Sequence, residues 1–166
     1  MKTVIIQGSS KSDGNTSKVI NYLNNKNQFD VIDLKIKNIG PFDYDFSNSD
    51  DDFLPLIEEI INKYDTIILA TPVYWYSMSG ILKNFLDRFS DLLDYKKELG
   101  RKLRGKNLAM ISNSGDNDLK NGFTMPFIES ANYLGMNYLG DTHAWFINDE
   151  IASDAKKLMD DFMKKF

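Results

Sequence analysis

Hydrophobic positions along the chain alternate between short continuous runs and longer stretches in which they recur every third or fourth residue. The first run covers residues 4–6, and Val19, Ile20 and Leu23 then fall on one side of a helix. The second run, residues 29–34, alternates more between apolar and polar positions, as a strand near a sheet edge does. The pattern therefore predicts a strand, a helix and a second strand at the start of the chain.

The same alternation continues toward the C-terminus. A second helix is predicted over residues 53–64, with Ser49 or Asp50 as its N-cap, because apolar residues recur there at helical spacing. The predicted elements that follow are a strand over 66–70, a helix over 81–89, a strand over 108–111, a helix over 122–134, a strand over 138–146 and a helix over 155–166. Gly122 and Pro126 blur the start of the fourth helix.

Strands that each precede a helix predict right-handed crossover connections and a parallel sheet covered on both faces. We therefore expect an α/β fold in which a five-stranded parallel sheet forms the middle layer of a three-layer α/β/α sandwich, in a single domain over residues 1–166. Ligands of such sheets bind beyond the C-terminal strand ends, where the strand order reverses. The loops after strands one, three and four are the candidate site.

Composition narrows the chemistry that such a site can perform. The 166 residues are 42% apolar and include no cysteine, which excludes disulfides, thiolate metal sites, iron–sulfur clusters and cysteine nucleophiles. Any redox chemistry therefore requires a bound cofactor. The Asp-rich stretch 43–52 lacks the glycine and the glutamate of a calcium-binding loop, so we expect a solvated acidic loop and no metal site.

Charge and hydropathy narrow the partners. The net charge of −4 disfavours a nucleic-acid partner, and no apolar run is long enough for a signal peptide or a membrane span. We expect a cytoplasmic protein with neither a membrane nor a nucleic-acid partner.

The loop after the first strand, residues 8–18, is small, polar and followed by a helix. This arrangement presents unpaired backbone N–H groups to an anion, and phosphate is the natural one. Gly8 and Gly14 would let the backbone curl around the anion, and further donors or charge would come from Ser9, Lys11, Ser12, Asn15 and Thr16. The spacing fits neither the nucleoside-triphosphate loop nor Gly-x-Gly-x-x-Gly. An ordinary turn with helix-capping residues is the alternative.

Three consecutive aromatic residues, Tyr74, Trp75 and Tyr76, follow the third predicted strand. Rings on a loop are costly to expose unless something flat covers them, and Pro72 stiffens this segment. With a phosphate loop on the neighbouring strand, a planar ring system is the favoured explanation; rings folded into the core, or a dimer contact, are the alternatives. The loop at 112–117 would close over the same ring, although an ordinary turn has the same composition.

These loops resemble those of the NADPH-dependent FMN reductase family, within the flavodoxin-like group. Residues 8–16 are similar to the family's phosphate loop, Gly-Ser-Pro-Arg-x-x-Gly-Asn-Thr, with Ser10 in place of the proline and Lys11 in place of the arginine. Residues 71–80, continuing to 82–88, resemble its isoalloxazine loop and the helix after that loop. The resemblance implies a flavodoxin-like sheet with the strand order 2-1-3-4-5.

The resemblance also implies bound FMN, with NADH or NADPH as co-substrate. The implied contacts of the phosphate are Ser9, Lys11, Asn15 and Thr16, with Ser12 beside them, and those of the ring are Pro72, Val73, Tyr74, Trp75, Tyr76, Ser114 and Gly115. A homodimer is expected, because Trp75, Tyr76 and Met78 would otherwise be exposed and the family completes its flavin sites across subunits.

The flavin would carry the chemistry, so no acid–base pair is required and we assign no catalytic residue. FMN would take a hydride from the nicotinamide and pass electrons to a small acceptor: a quinone, a nitroaromatic, an azo compound or a free flavin. The single histidine, His143, is predicted to have a structural or rim position. The basic stretch 95–106 is interpreted as solvated surface, with the 2′-phosphate of NADPH or a second subunit as alternative contacts.

Two other functions remain open on the same fold. A flavodoxin-type electron carrier would bind the same FMN but react with protein partners; such carriers are markedly acidic, whereas the net charge here is only −4. A non-catalytic binding module, such as a phosphoacceptor domain, needs acidic residues at the end of strand one, where Gln7, Gly8 and Ser9 stand.

Overall fold

A computed structural model describes residues 1–166 and contains a six-stranded sheet in the order β2-β1-β3-β4-β5-β6. The strands are β1 Thr3–Gln7, β2 Asp30–Asp33, β3 Thr66–Pro72, β4 Asn107–Ser114, β5 Asn137–Ile147 and β6 Glu150–Ile151. Strands β1 to β5 pair in parallel, which confirms the expected order. The sixth strand, which the sequence did not predict, is a two-residue antiparallel addition beside β5.

Six α-helices cover the two faces of this sheet. They are α1 Asn15–Asn24, α2 Phe53–Lys63, α3 Gly80–Asp87, α4 Lys97–Arg101, α5 Met125–Leu134 and α6 Ser153–Met163. The core on one face is built from α2, α3 and α5, with Phe53, Leu82 and Phe127 fully buried. On the other face, α1 and α6 bury residues such as Val19 and Met159. None of the helices has the combination of length and apolar character that a membrane span requires.

The helix ends differ in detail from the predictions. The N-cap of α2 is Asp52, and the main-chain N of Phe53 donates to Asp51 Oδ1 at 2.8 Å, so the predicted cap at Ser49 or Asp50 is wrong. Helix α5 begins at Met125 rather than at 122, because Gly122 takes a positive φ of 94° that ends any earlier helical turn.

The acidic loop after β2 is fastened to the end of α3. The Arg88 side chain is buried there and forms ion pairs with Asp51 and Asp91, the latter at 2.8 Å. Its guanidinium also donates to the main-chain oxygens of Gly40 and Asn48, each at 3.1 Å. The loop is less solvated than expected, because five of residues 43–52 are exposed and the other five are partly buried. The cluster around Arg88 fixes its path over the sheet. No group of residues in the structure has the composition of a metal site.

Candidate functional site

The C-terminal ends of β1, β3 and β4 border one cleft of about 400 Å³. The residues that line it are Ser9, Lys11, Gly14, Asn15, Thr16, Pro72, Val73, Tyr74, Asn113, Ser114 and Gly115. The three predicted loops thus lie together, and every predicted cofactor residue lines the cleft except Ser12, Trp75 and Tyr76. Gly14 and Asn113 are additional lining residues.

The first turn of α1 borders the cleft with unpaired main-chain donors. The earliest main-chain bond of this helix runs from Lys18 N to Gly14 O, so the amides of residues 15–17 have no partner in the protein. Ser9 is buried beside them, and its Oγ accepts a hydrogen bond from Lys11 N at 3.3 Å, which leaves the hydroxyl hydrogen free to donate. Unpaired amides at a helix N-terminus, together with a hydroxyl donor, fit an anion.

Of the first loop, Ser12 lies outside the cleft, which differs from the prediction, whereas Lys11 lines the cleft as a source of charge. The side chain of Ser12 is exposed outside the cleft, and its main-chain oxygen accepts a hydrogen bond of 3.0 Å from Gln7 Nε2. Buried Gln7 therefore supports the loop from below. The Lys11 ammonium lies in solvent, 3.8 Å from the Asp13 carboxylate, so it adds charge at the rim of the cleft rather than a fixed contact.

The two glycines of this loop serve different purposes. A Cβ on Gly8 would lie 2.6 Å from the Cβ of Leu82, so Gly8 lets α3 approach the end of β1. Gly14 has an extended backbone with φ of −84°, and a Cβ there would lie 3.3 Å from the Cβ of Lys11. Neither glycine is required by a left-handed turn around the anion, which differs from the prediction.

The aromatic loop is a tight hairpin whose tip projects into solvent. Tyr74 and Ser77 exchange main-chain hydrogen bonds of 2.9 and 3.0 Å, and both central residues are left-handed, with φ of 49° at Trp75 and 62° at Tyr76. Trp75 is 93% exposed and Tyr76 is 68% exposed, so the alternative in which these rings fold into the core is wrong. Met78, which was expected to be exposed, is buried at the base of the loop.

Ser79 joins the aromatic loop to the first loop. Its Oγ donates to Gly8 O at 2.6 Å and accepts from Leu82 N at 3.1 Å, which caps α3. The main-chain N of Ser79 donates to Thr71 Oγ1 at 3.0 Å, so the two ends of the loop are also tied to each other. At the surface, Ser10 Oγ lies 3.0 Å from Tyr74 Oη, within hydrogen-bonding distance. These contacts hold two walls of the cleft at a fixed separation.

Asn113 touches both of the other loops from the end of β4. Its Oδ1 accepts a hydrogen bond of 2.8 Å from Thr16 Oγ1, and its main-chain oxygen accepts one of 2.8 Å from Val73 N. The hydroxyl hydrogen of Thr16 is therefore donated to Asn113, and only the main-chain amide of Thr16 remains to bind an anion. Asn113 was not among the residues predicted to contact the cofactor; its place in the loop after the fourth predicted strand was the available signal.

His143 lies behind the third loop, which is a structural position of the kind predicted. Its Nδ1 is 2.8 Å from Ser112 Oγ, and its Nε2 is 3.1 Å from Ser114 Oγ and 3.0 Å from the main-chain oxygen of Asp116. Burial lowers the pKa of His143 below its ordinary value, against the smaller opposing effects of the Asp116 carbonyl and carboxylate. A neutral ring that donates from Nε2 and accepts at Nδ1 satisfies these contacts.

The C-terminal part of the basic stretch lies away from the cleft. Lys106 directly precedes the start of β4, and its Nζ donates to Tyr64 O at 2.6 Å, next to the start of β3. The cleft is at the opposite, C-terminal ends of the same parallel strands. A contact between Lys106 and a nucleotide in the cleft is therefore excluded by geometry.

Comparison with known proteins identifies the relatives of this chain. YwqN of Bacillus subtilis, named as an NAD(P)H-dependent FMN-containing oxidoreductase, is 30% identical over an alignment of 154 residues that covers 84% of this chain and 82% of that protein. The FMN-dependent NADPH-azoreductase of Staphylococcus haemolyticus is 32% identical over 126 residues, with 69% of this chain and 61% of that protein covered.

Solved structures show the same fold. General stress protein 14 from Treponema denticola, in complex with FMN, superposes with a TM-score of 0.65 at 17% identity, over 99% of this chain and 97% of that one. The sequence profile of one family, described as NADPH-dependent FMN reductase, matches residues 1–150. With this match over most of its length, the chain belongs to the NADPH-dependent FMN reductase family.

Proposed function

We propose that this protein binds FMN in the cleft and uses it to pass electrons from NADH or NADPH to a small acceptor. The observation that carries the proposal is the shared cleft: unpaired amides of α1 border one end of it, and the stiff segment Pro72–Tyr74 forms a wall at the same C-terminal edge. A volume of about 400 Å³ lies within the range of cofactor sites. The names of the relatives, which mention FMN and NAD(P)H, point to the same ligands.

The phosphate of FMN would lie at the start of α1. The amides of residues 15–17, the hydroxyl of Ser9 and the side chain of Asn15 are donors for its oxygens, and Lys11 adds positive charge nearby. Thr16 contributes its amide rather than its hydroxyl. Ser12, whose side chain is outside the cleft, is left out of this set.

The flavin ring would lie between Pro72–Tyr74 and the Ser114-Gly115 turn. Bound FMN supplies the redox chemistry, in which it accepts a hydride equivalent and gives up electrons. The residues of the chain orient the ring, exclude water from its inner face and, through the unpaired amide of Gly115, offer a donor where negative charge grows on reduction. Trp75 and Tyr76 lie outside the cleft, where they would border the open face that nicotinamide and acceptor use in turn.

The first experiment is a visible spectrum of the purified protein, before and after addition of FMN. We expect flavin absorbance and quenched flavin fluorescence, followed by anaerobic bleaching with NADPH or NADH. A protein that binds FMN but is not reduced by either nicotinamide would be an electron carrier instead. A protein that binds no FMN would overturn the proposal altogether.

The acceptor is a small molecule, and an azo compound is the first to test because a relative is named as an azoreductase. Quinones, nitroaromatics and free flavin complete the panel. Turnover of each, measured with both nicotinamides at equal concentration, ranks the acceptors by kcat/KM and fixes the choice of NADH or NADPH. Absence of turnover with every acceptor, in protein that the nicotinamide reduces, would contradict the assignment as a reductase of small molecules.

We also propose that the protein is a homodimer. A cavity of about 670 Å³ is an open groove between the end of α3 and α5, lined in part by Leu86, Phe89, Leu93 and Tyr133. Tyr133 is 76% exposed, and a second copy would cover this groove. Sedimentation velocity tests the proposal: the wild type is expected to be dimeric and Tyr133→Glu monomeric. A monomeric wild type at tens of micromolar would contradict it. The cytoplasmic location stays a prediction from the sequence.

A further inference from the structure

Asn113 is a buried amide with only one of its two ends satisfied. The residue is 5% exposed, and Thr16 Oγ1 donates to its Oδ1 at 2.8 Å. Its Nδ2 donates to no atom of the protein. Every side-chain nitrogen or oxygen that is fully shielded from solvent has a hydrogen-bond partner. Nδ2 must therefore reach a surface, and the surface that Asn113 lines is the cleft.

The orientation of this amide is set from another loop. Thr16 is buried at the start of α1, and its hydroxyl hydrogen is directed at the carbonyl end of the Asn113 side chain. The backbone of Asn113 is held as well, because its main-chain oxygen accepts from Val73 N at 2.8 Å. With backbone and Oδ1 both fixed, the NH₂ group has one direction left, which is into the cleft.

We propose that Asn113 is a cofactor-contacting residue, whose NH₂ group donates a hydrogen bond to an acceptor atom of FMN, and that Thr16 is a positioning residue for it. The identity of the ligand rests on the proposed function, whereas the orientation of the amide rests on the contacts above. The pair also connects the phosphate end of the cleft to the loop after β4, so a change at Thr16 is transmitted to the cofactor through Asn113.

Four variants of the pair test the inference, with the FMN dissociation constant of the apoprotein as the readout. Asn113→Asp keeps an acceptor for Thr16 but replaces the NH₂ donor by an oxygen, and we expect affinity to fall at least tenfold. Asn113→Ala removes one hydrogen bond, which corresponds to about a 2–12-fold loss. Thr16→Val is expected to weaken binding several-fold, whereas Thr16→Ser, which keeps the hydroxyl, restores the wild-type constant within about twofold.

A double-mutant cycle separates positioning from mere structural damage. If Thr16 acts through Asn113, Thr16→Val has little further effect on the FMN dissociation constant in the Asn113→Ala background. Asn117→Asp is the matched control, because Asn117 is exposed on the same loop outside the cleft and adds the same charge. Thermal unfolding of each apoprotein confirms that the variants compared are folded.

The outcomes distinguish this inference from the function on which it rests. A wild-type protein that binds no FMN overturns the proposed function and this contact with it. If the wild type binds FMN, and Asn113→Asp and Asn113→Ala both bind it with the wild-type affinity, only the role of Asn113 is overturned. Equal losses from Thr16→Val in both backgrounds overturn the positioning role of Thr16. A loss with Asn117→Asp as large as that with Asn113→Asp would mean that charge alone is responsible, and would also overturn the contact.

Discussion

At position 8 of the first loop, glycine is required by packing against α3 rather than by a ligand. A Cβ at this position would lie 2.6 Å from Leu82 Cβ. The backbone of Gly8 cannot move away easily, because Gly8 N donates a hydrogen bond to Ala70 O at 2.8 Å. We expect Gly8→Ala to lower the free energy of unfolding of the apoprotein by about 1–3 kcal/mol, as overpacking does. Urea denaturation measures it.

Gly14→Ala is the matched control for this prediction. Its Cβ would lie 3.3 Å from the Cβ of Lys11, a milder contact than that at Gly8, and the backbone there is extended. Gly14 is the N-cap of α1, where alanine is less favourable than glycine, so the control should lose some stability but less than Gly8→Ala. A Gly8→Ala protein as stable as Gly14→Ala would show that α3 shifts freely, against the tight contact with Leu82.

The pKa of His143, lowered by burial, gives stability a defined dependence on pH. The folded state prefers the neutral ring of His143. The contribution of this ring to the free energy of unfolding is therefore complete above the unfolded pKa of about 6.5, and it declines as the pH falls from there to the folded pKa. We expect the difference in free energy of unfolding between wild type and His143→Gln to shrink between about pH 7 and pH 5. Taking this difference cancels the pH dependence that comes from the carboxylates, because they titrate in both proteins. A difference that is constant over this range would contradict a neutral His143.

At the scale of an element, the aromatic hairpin presents two exposed rings in a backbone conformation that lowers the stability of the protein. Two non-glycine residues with positive φ, Trp75 and Tyr76, occupy positions where such turns prefer Asn-Gly. The double variant Trp75→Asn/Tyr76→Gly is expected to raise the free energy of unfolding of the apoprotein by about 1–3 kcal/mol. It is also expected to lower turnover of the acceptor, because the rings proposed to border the open face of the flavin are lost.

Thermal unfolding and steady-state kinetics on the same preparation measure these two effects. Tyr44→Ala is the control, because Tyr44 is as exposed as the hairpin residues but has no positive φ. A hairpin variant with unchanged stability and full turnover would mean that neither the backbone strain nor the rings matter.

The buried ion cluster fixes the acidic loop to α3, and its loss should be costly. Arg88→Met leaves Asp51 and Asp91 buried without their partner, which is expected to destabilise the protein by about 3–5 kcal/mol. The triple variant that adds Asp51→Asn and Asp91→Asn removes the uncompensated charges and should recover much of that loss. Lys83→Met, which breaks an exposed pair with Asp87, is the control and should change little. Equal effects of the two single variants would contradict the importance of burial.

The elements that the sequence predicted correctly are those with strong periodicity. Strands such as β3 and helices such as α2 carry continuous or regularly spaced apolar residues, and their bounds agree within a few positions. Strand β6 and helix α4 escaped prediction because two and five residues are too short to show a period. The N-cap of α2 was misplaced because several acidic residues precede this helix and only the folded chain selects one.

At the scale of the whole molecule, topology is what made the site predictable. Parallel strands end at one edge of the sheet, and the loops after β1, β3 and β4, which the α/β pattern predicted as the site, do border the cleft. The contacts that shape the cleft were not predictable, because Thr16 and Asn113 are 97 positions apart, and Gly8 and Ser79 are 71 apart. Such pairs depend on the register of the sheet, which periodicity does not give.

If residues 8–18 bind the phosphate as proposed, the protein should be more stable with FMN than with riboflavin, which lacks the phosphate. A ligand that binds only the folded state stabilises it by about 2.7 kcal/mol at a concentration 100 times its dissociation constant. Riboflavin at the same concentration cannot use the unpaired amides of residues 15–17, so its shift in unfolding temperature should be much smaller. Inorganic phosphate alone controls for the anion. Equal shifts with FMN and riboflavin would mean that the ring is held but the phosphate is not, which would remove the first loop from the site.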